Sequence, residues 1–237
     1  LKIHIMKKII LTLLLLTVTF FSPANVIINS TRVIYPQGSK EVPVQLFNTG
    51  TQQALVQAWI DDGNPDSTPE TANVPFILTP PVVKIDGKNG QQLRVKMTPV
   101  QLPADRESLF YLNLLDIPPL PENSADKNMM QIAIRSRIKL FYRPSGLTLS
   151  ADKAHTRLTF TRDGQHYILK NDSPYHINIL GLKETANSRD LAEEGTMIAP
   201  YSQFTLPAAA GLPAGNHYSL TLIDDFGAIN TYPLSLN

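Results

Sequence analysis

The side chains best suited to acid–base or metal chemistry are dispersed along this sequence. His155, His166, His176 and His217 fall at intervals that match no metal-ligand spacing. The chain has no cysteine, which removes thiolate nucleophiles, thiolate metal sites and disulfides together. The acidic doublets Asp61-Asp62 and Asp224-Asp225 stand where apolar stretches end, and they read as turn residues before they read as a catalytic pair. There is no glycine-rich phosphate loop, no G-x-S-x-G elbow and no H-E-x-x-H. No catalytic residue, cofactor or metal is therefore expected, and weight moves to a binding role. Among the charges, Arg32 and Lys139 are each a lone cation on an apolar stretch, which taken singly is a solvated strand face. Glu107, Arg143 and Asp225 taken singly are surface charges of little worth.

The elements that must position these residues are strands. Short apolar or alternating stretches recur at Val26 to Tyr35, Val42 to Phe47, Ala54 to Ile60, Gln92 to Thr98, Ser108 to Leu115 and Met129 to Tyr142. A second series covers Leu158 to Thr161, Tyr167 to Lys170, His176 to Leu180, Gln203 to Leu206, Tyr218 to Ile223 and Ile229 to Leu236. Turn clusters such as Pro36-Gln37-Gly38-Ser39 and Asp86-Gly87-Lys88-Asn89-Gly90 separate them, and no convincing amphipathic helix is present. Many short strands at this spacing, with 19 prolines, describe an all-β protein built of sandwiches. Arg143-Pro144-Ser145-Gly146 ends the long stretch before it and predicts a linker near residues 144–148. Two domains follow, at residues 25–145 and 149–237.

The first 24 residues are of another kind. Lys2, Lys7 and Lys8 precede an apolar run from Ile9 to Phe21, and Ser22-Pro23-Ala24 supplies a small-residue cleavage site. This is the pattern of a secretory signal peptide, too short to span a bilayer comfortably, so no stable membrane insertion is expected after its removal. Cleavage removes three lysines and leaves 18 basic against 20 acidic residues. A chain so near neutrality gives no reason to expect nucleic-acid binding. An exported chain without disulfides must be held by its cores, which requires domains near a hundred residues.

One stretch is dense in information: Leu102-Pro103-Ala104-Asp105-Arg106-Glu107-Ser108-Leu109-Phe110-Tyr111-Leu112-Asn113-Leu114-Leu115-Asp116-Ile117-Pro118. It is a polar turn feeding a weakly alternating strand that stops at Pro118-Pro119. This stretch resembles the signature of the periplasmic pilus (fimbrial) assembly chaperones of the chaperone–usher family. Thr31-Arg32-Val33, Gln57-Ala58-Trp59-Ile60, Thr79-Pro80-Pro81, Gln131-Ile132-Ala133-Ile134, Ile138 to Pro144 and Asp225-Phe226-Gly227 resemble further landmarks of that family in the right order. The resemblance covers essentially the whole chain after residue 24, more weakly in the second domain.

The resemblance implies two immunoglobulin-like sandwiches in an L or boomerang arrangement, a periplasmic location, and no enzyme activity. It implies pilus subunits as partners, stabilised by donation of a strand to their incomplete fold, and delivery to an outer-membrane usher. Met130, Ile132 and Ile134, spaced by two and so on one face of a strand, become the apolar plugs of the donated strand. From the residues alone they read first as an ordinary core face of the first domain, and the resemblance reverses that preference. Arg32 and Lys139 become the anchor for the subunit's C-terminal carboxylate, for which a planar guanidinium and a compact ammonium are suited. Glu107, Arg143 and Asp225 become a structural salt-bridge cluster between the domains. Thr79-Pro80-Pro81 matches a loop in which a cis bond is feasible. Strict alternation sets Lys139 on the face opposite Ile132, which a bulge or strong twist between Ile134 and Lys139 would reconcile. An exposed apolar edge is an aggregation hazard, so weak self-association of the free protein is expected. The competing reading is a secreted adhesion or structural module of two such domains, without a free apolar edge or paired cations in a cleft.

Overall fold

The computed structural model describes residues 26–119, 131–164, 166–186, 190–192, 195–206 and 215–237. The expected signal peptide and the expected plug Met130 lie outside the described residues. Two hydrophobic cores organise the rest. In the first, strands β1 (Val26–Ile28), β3 (Val42–Asn48), β5 (Phe76–Thr79) and β7 (Gly90–Met97) form one sheet in the order β1-β3-β7-β5. Strands β2 (Arg32–Pro36), β4 (Ala54–Asp61), β6 (Val82–Ile85), β8 (Ser108–Ile117) and β9 (Ile134–Arg143) form the facing sheet in the order β2-β9-β8-β4-β6. Alternation decides which side chains fill the space between them. Val44, Leu46, Leu93 and Val95 come from one sheet, and Val56, Phe110, Leu112, Leu114 and Leu140 from the other.

The second core lies between a three-stranded sheet of β10 (Leu158–Asp163), β11 (His166–Asn171) and β14 (Ser202–Leu206) and a four-stranded sheet in the order β13 (Met197–Ile198), β12 (Ile177–Glu184), β15 (His217–Ile223), β16 (Ile229–Ser235). Phe160, Tyr167, Leu169, Ile179, Leu182, Tyr218 and Leu220 fill it, and Leu147 and Leu149 pack on it just beyond the turn at Gly146. The chain is thus two immunoglobulin-like β-sandwiches. No helix among the described residues is long and apolar enough to cross a membrane.

Several local expectations are corrected. The stretch Val26 to Tyr35 is two strands, because the chain leaves the first sheet at Asn29–Thr31 and enters the second beside β9. Two contacts fix the departure point: the Val26 N–H donates to Asp116 Oδ2 at 3.0 Å, and the Asn29 N–H to the Gln45 carbonyl at 2.9 Å. Of the long stretch to Tyr142, the described part, from Gln131 on, is regular strand only from Ile134. A 3-10 helix at Ala151–Arg157 follows the linker, and β5 and β6 escape the sequence pattern because prolines crowd them. The Thr79–Pro80 peptide between those two strands is cis.

Without a disulfide, the second sandwich closes one end on a buried amide. Asn171 Nδ2 donates to the carbonyls of Tyr175 (2.8 Å) and Ala199 (2.9 Å), and its Oδ1 accepts from the Ser173 N–H (3.0 Å) and hydroxyl (2.7 Å). Removing this amide strands several buried partners. Asn171→Ala is expected to lower the stability of the second domain by about 2–3 kcal/mol, measured by chemical denaturation with probes in each domain. The first domain's transition is expected to stay in place.

Candidate functional site: a cationic cleft at an open strand edge

β2 runs parallel to β9 and pairs Arg32 with Lys139, Val33 with Leu140, Ile34 with Phe141, Tyr35 with Tyr142 and Pro36 with Arg143. Partners in register project from the same face of a sheet. Val33, Tyr35, Leu140 and Tyr142 enter the first core. Arg32 and Lys139 therefore stand side by side on the opposite face, and both reach toward the second sandwich. Arg32 Nη1 donates to the Ile223 carbonyl at 3.2 Å, and Lys139 Nζ donates to Asn178 Oδ1 at 2.6 Å. Both acceptors are neutral. Neither cation forms an ion pair with a carboxylate among the described residues.

Arg32 is only 9% exposed, and its Nε is buried without a hydrogen-bond partner. Burial pulls its guanidinium below the ordinary arginine range, against the pull of Asp225 and Asp224. Burial also lowers the Lys139 ammonium, and the adjacent Arg32 charge lowers it further. Two like charges, one buried and the other partly buried, define a place where an anion is stabilised.

The pairing with β2 begins only at Lys139. Along Ile134–Ile138, β8 lies on one side of β9 and no strand lies on the other among the described residues. Backbone groups on that edge are open to an added strand. The nine pairs from Ser108↔Tyr142 to Asp116↔Ile134 are continuous. The bulge invoked between Ile134 and Lys139 to reconcile Ile132 with Lys139 is absent, since an unbroken ladder to β8 leaves no place for an extra residue. Ile134 lies on the inner face and Lys139 on the outer. Ile134 is half-buried, while Ile132 precedes the strand and is 62% exposed. Gln131 Nε2 donates to the Pro118 carbonyl at the end of β8.

Beyond the cation pair, Arg143 bridges the two sandwiches. Its guanidinium binds Glu107 Oε1 through Nε (2.9 Å) and Nη2 (2.8 Å), and both Asp225 oxygens at 2.6 and 2.9 Å. Burial lowers its pKa, but the bonds it donates to Asp225 and the charge of Glu107 outweigh that and raise it. Glu107 Oε2 accepts from the His176 backbone N–H at 2.8 Å and lies 3.2 Å from His176 Nδ1. The three residues expected together are together. His176, expected as an ordinary strand or surface histidine, has joined them, and its ring also lies against Phe141 at 5.2 Å. No sequence signal marked it.

Sequence reasoning also missed a cluster on the outer face of β9. Asp61, 1% exposed at the end of β4, accepts from Arg137 Nε (3.1 Å) and Nη2 (2.5 Å) and from Asn113 Nδ2 (2.6 Å). Arg135 donates to Asn113 Oδ1 through Nε (3.0 Å) and Nη2 (2.7 Å) and lies over the Trp59 ring at 4.9 Å. Arg137 covers Tyr111 at 3.7 Å. The only hint in the sequence was Arg135 and Arg137 spaced by two. These contacts clasp the open-edge segment of β9 to β8 and β4. No group of His, Asp or Glu residues suited to a metal occurs among the described residues.

Burial would push the Asp61 carboxyl up, but hydrogen bonds from Arg137, Asn113 and the Gly63 N–H hold it below the usual carboxylate range. A depressed native pKa contributes stability that is complete above the unfolded value and is lost as pH falls through the folded value. Asp61→Asn is expected to destabilise the first domain by about 2 kcal/mol at neutral pH, less as the pH falls through that range. Urea denaturation at several pH values measures both effects.

Two immunoglobulin-like sandwiches that present a buried cation pair between them and an open strand edge beside it define a class of binding module, and comparison with known proteins names the family. Residues 25–148 match the family of pili and flagellar-assembly chaperones, PapD N-terminal domain, and residues 153–234 match the pili assembly chaperone PapD, C-terminal domain. The chaperone protein HifB of Haemophilus influenzae is 43% identical over 228 residues, covering 92% of this chain and 93% of that protein. The probable fimbrial chaperone YehC of Escherichia coli K12 is 42% identical over 223 residues, covering 94% and 92%. The crystal structure of the Pseudomonas aeruginosa CupB2 chaperone superposes with a TM-score of 0.75 at 33% identity, covering 89% of this chain and all of that one. The chain belongs to the PapD family of pilus assembly chaperones, and its role is the non-enzymatic chaperoning of pilus subunits.

Proposed function

We propose that this chain works in the periplasm by lending the open edge of β9 to an incomplete pilus subunit and then delivers that subunit to an outer-membrane usher. The observation that carries this reading is the coincidence of two features at one register position. Arg32 and Lys139 meet where β2 begins, and the open edge of β9 is the segment Ile134–Ile138 immediately before that pair. A subunit strand lying along that edge takes backbone hydrogen bonds from it and ends with its carboxylate at the cation pair. Arg32 supplies a fork of donors there, and Lys139 a point charge.

Anchor and plugs need not share a face in this arrangement. The added strand meets the edge of β9, while Ile134 faces inward from the strand and the exposed Ile132 stands just before it. Each buried plug contributes about 1.5–3 kcal/mol before association costs. The anchor fixes register, without which a slip of one residue turns every plug away. In this reading the bridge of Glu107, Arg143, His176 and Asp225 holds the two sandwiches in the relation the cleft requires.

Co-expression in a bacterial periplasm with a subunit from the same gene neighbourhood tests the proposal. The native chain is expected to yield a soluble one-to-one complex. Arg32→Ala and Lys139→Ala are each expected to reduce its recovery tenfold or more, on the order of the 2–5 kcal/mol lost when one partner of a desolvated charge pair is removed. A complex that survives both substitutions would sink the anchor assignment. The uncovered edge is also expected to drive weak self-association of the free chain. Sedimentation equilibrium should show reversible dimers at high concentration that vanish when subunit is bound, and a strict monomer would count against it.

A further inference from the structure

The tip of the β15–β16 hairpin carries an apolar side chain that neither core uses. Phe226 is 94% exposed. The turn beneath it is tightly held. Asp224 Oδ1 accepts from the backbone N–H groups of Phe226 (2.9 Å) and Ala228 (2.8 Å), and Oδ2 accepts from Asn230 Nδ2 (3.0 Å). The Gly227 N–H returns to the Asp224 carbonyl at 3.1 Å. Gly227 has a φ of +82° and lies against Thr31 so closely that a Cβ there would come within 2.6 Å of Thr31 Oγ1. The hairpin tip is thereby seated beside β2, one residue before Arg32.

Phe226 and Arg32 line the same cavity of about 150 Å³ between the sandwiches, together with Asn178, Ile223 and Tyr232. The Ile223 carbonyl that holds Arg32 belongs to the same hairpin. An exposed aromatic ring on a fixed backbone loses little freedom when something packs on it. Its position says what that something is. Arg32 is shared between the proposed carboxylate anchor and this cavity, so an occupant whose carboxylate sits on Arg32 would bring its last residues beside the cavity.

We propose that Phe226 is a specificity-determining contact, which packs on the side chain of the last or penultimate residue of the bound subunit and favours aromatic or large aliphatic ends over small ones. This rests on the carboxylate-anchor reading and adds to it a preference among subunits that all carry a terminal carboxylate.

The test is a competition in one periplasm. Two versions of a pilus subunit with different internal tags are co-expressed with the chaperone, one ending in two aromatic residues and the other in two alanines. The native chain is expected to recover the aromatic-ended version about fivefold more, the scale of one aromatic pair. Phe226→Ala should bring that ratio close to one while total recovery changes little, since an exposed hairpin tip contributes nothing to either core. Arg32→Ala should depress recovery of both versions alike. A native ratio near one, or a ratio that survives Phe226→Ala, overturns the proposal. Undiminished recovery of both with Arg32→Ala overturns the anchor reading alone, leaving the Phe226 ratio to be read on its own. Recovery of neither version by the native chain overturns both.

Discussion

The parallel pairing of β2 with β9 is the constraint on which the rest of the structure depends. It is five residues long and joins the start of the chain's first sandwich to the last strand of that sandwich. It sets two cations next to one another on the face turned to the second domain, and it sets two tyrosines and two aliphatic residues into the core behind them. Because β2 is short, β9 extends beyond it with one side unpaired. A longer β2 would have closed the edge and left an ordinary sandwich. The switch of the chain between sheets at Asn29–Thr31 is what keeps β2 short.

Two arginines in this cleft meet opposite fates, and the contrast separates architecture from binding. Arg143 is saturated: two carboxylates from two domains occupy its fork, and Glu107 is itself satisfied by the His176 backbone and ring. Arg32 is buried yet holds only a carbonyl, with one nitrogen unused. The first arrangement is complete and rigid. The second leaves a desolvated charge with capacity for a further acceptor. Asp224 and Asp225 lie near enough to be felt by Arg32, but each carboxylate is already committed, one to its own hairpin and the other to Arg143.

The strands were legible because short apolar or alternating stretches are bounded by turn residues, and where alternation is clean, as in Val44-Gln45-Leu46, the faces are legible too. Elements that depend on register or on chain direction were not legible. Nothing in Val26 to Tyr35 announces that one half belongs to each sheet, and β5 and β6 are too short and too proline-bound to carry a period. The same limit applied to the site. Arg32 and Lys139 came forward through family resemblance, since no spacing along the chain reveals that residues 107 apart are opposed. The Asp61 cluster depends on three strands lying in one order, and His176 on the meeting of two domains. Phe226 was visible as part of a motif, but its exposure was not.

The unbroken register of β9 turns the strand into a ruler. From Ile134 to Lys139 is five residues of straight strand, about 17 Å at the usual rise. With no bulge to absorb a difference, that length is fixed. A client that engages both marks must carry the same interval between its own terminus and the gap in its own core. Under the proposed strand-donation reading, one whose tail is a residue too long or too short would meet the cations or the plugs and not both, so selection among clients would be exercised through measured length before any side chain is compared.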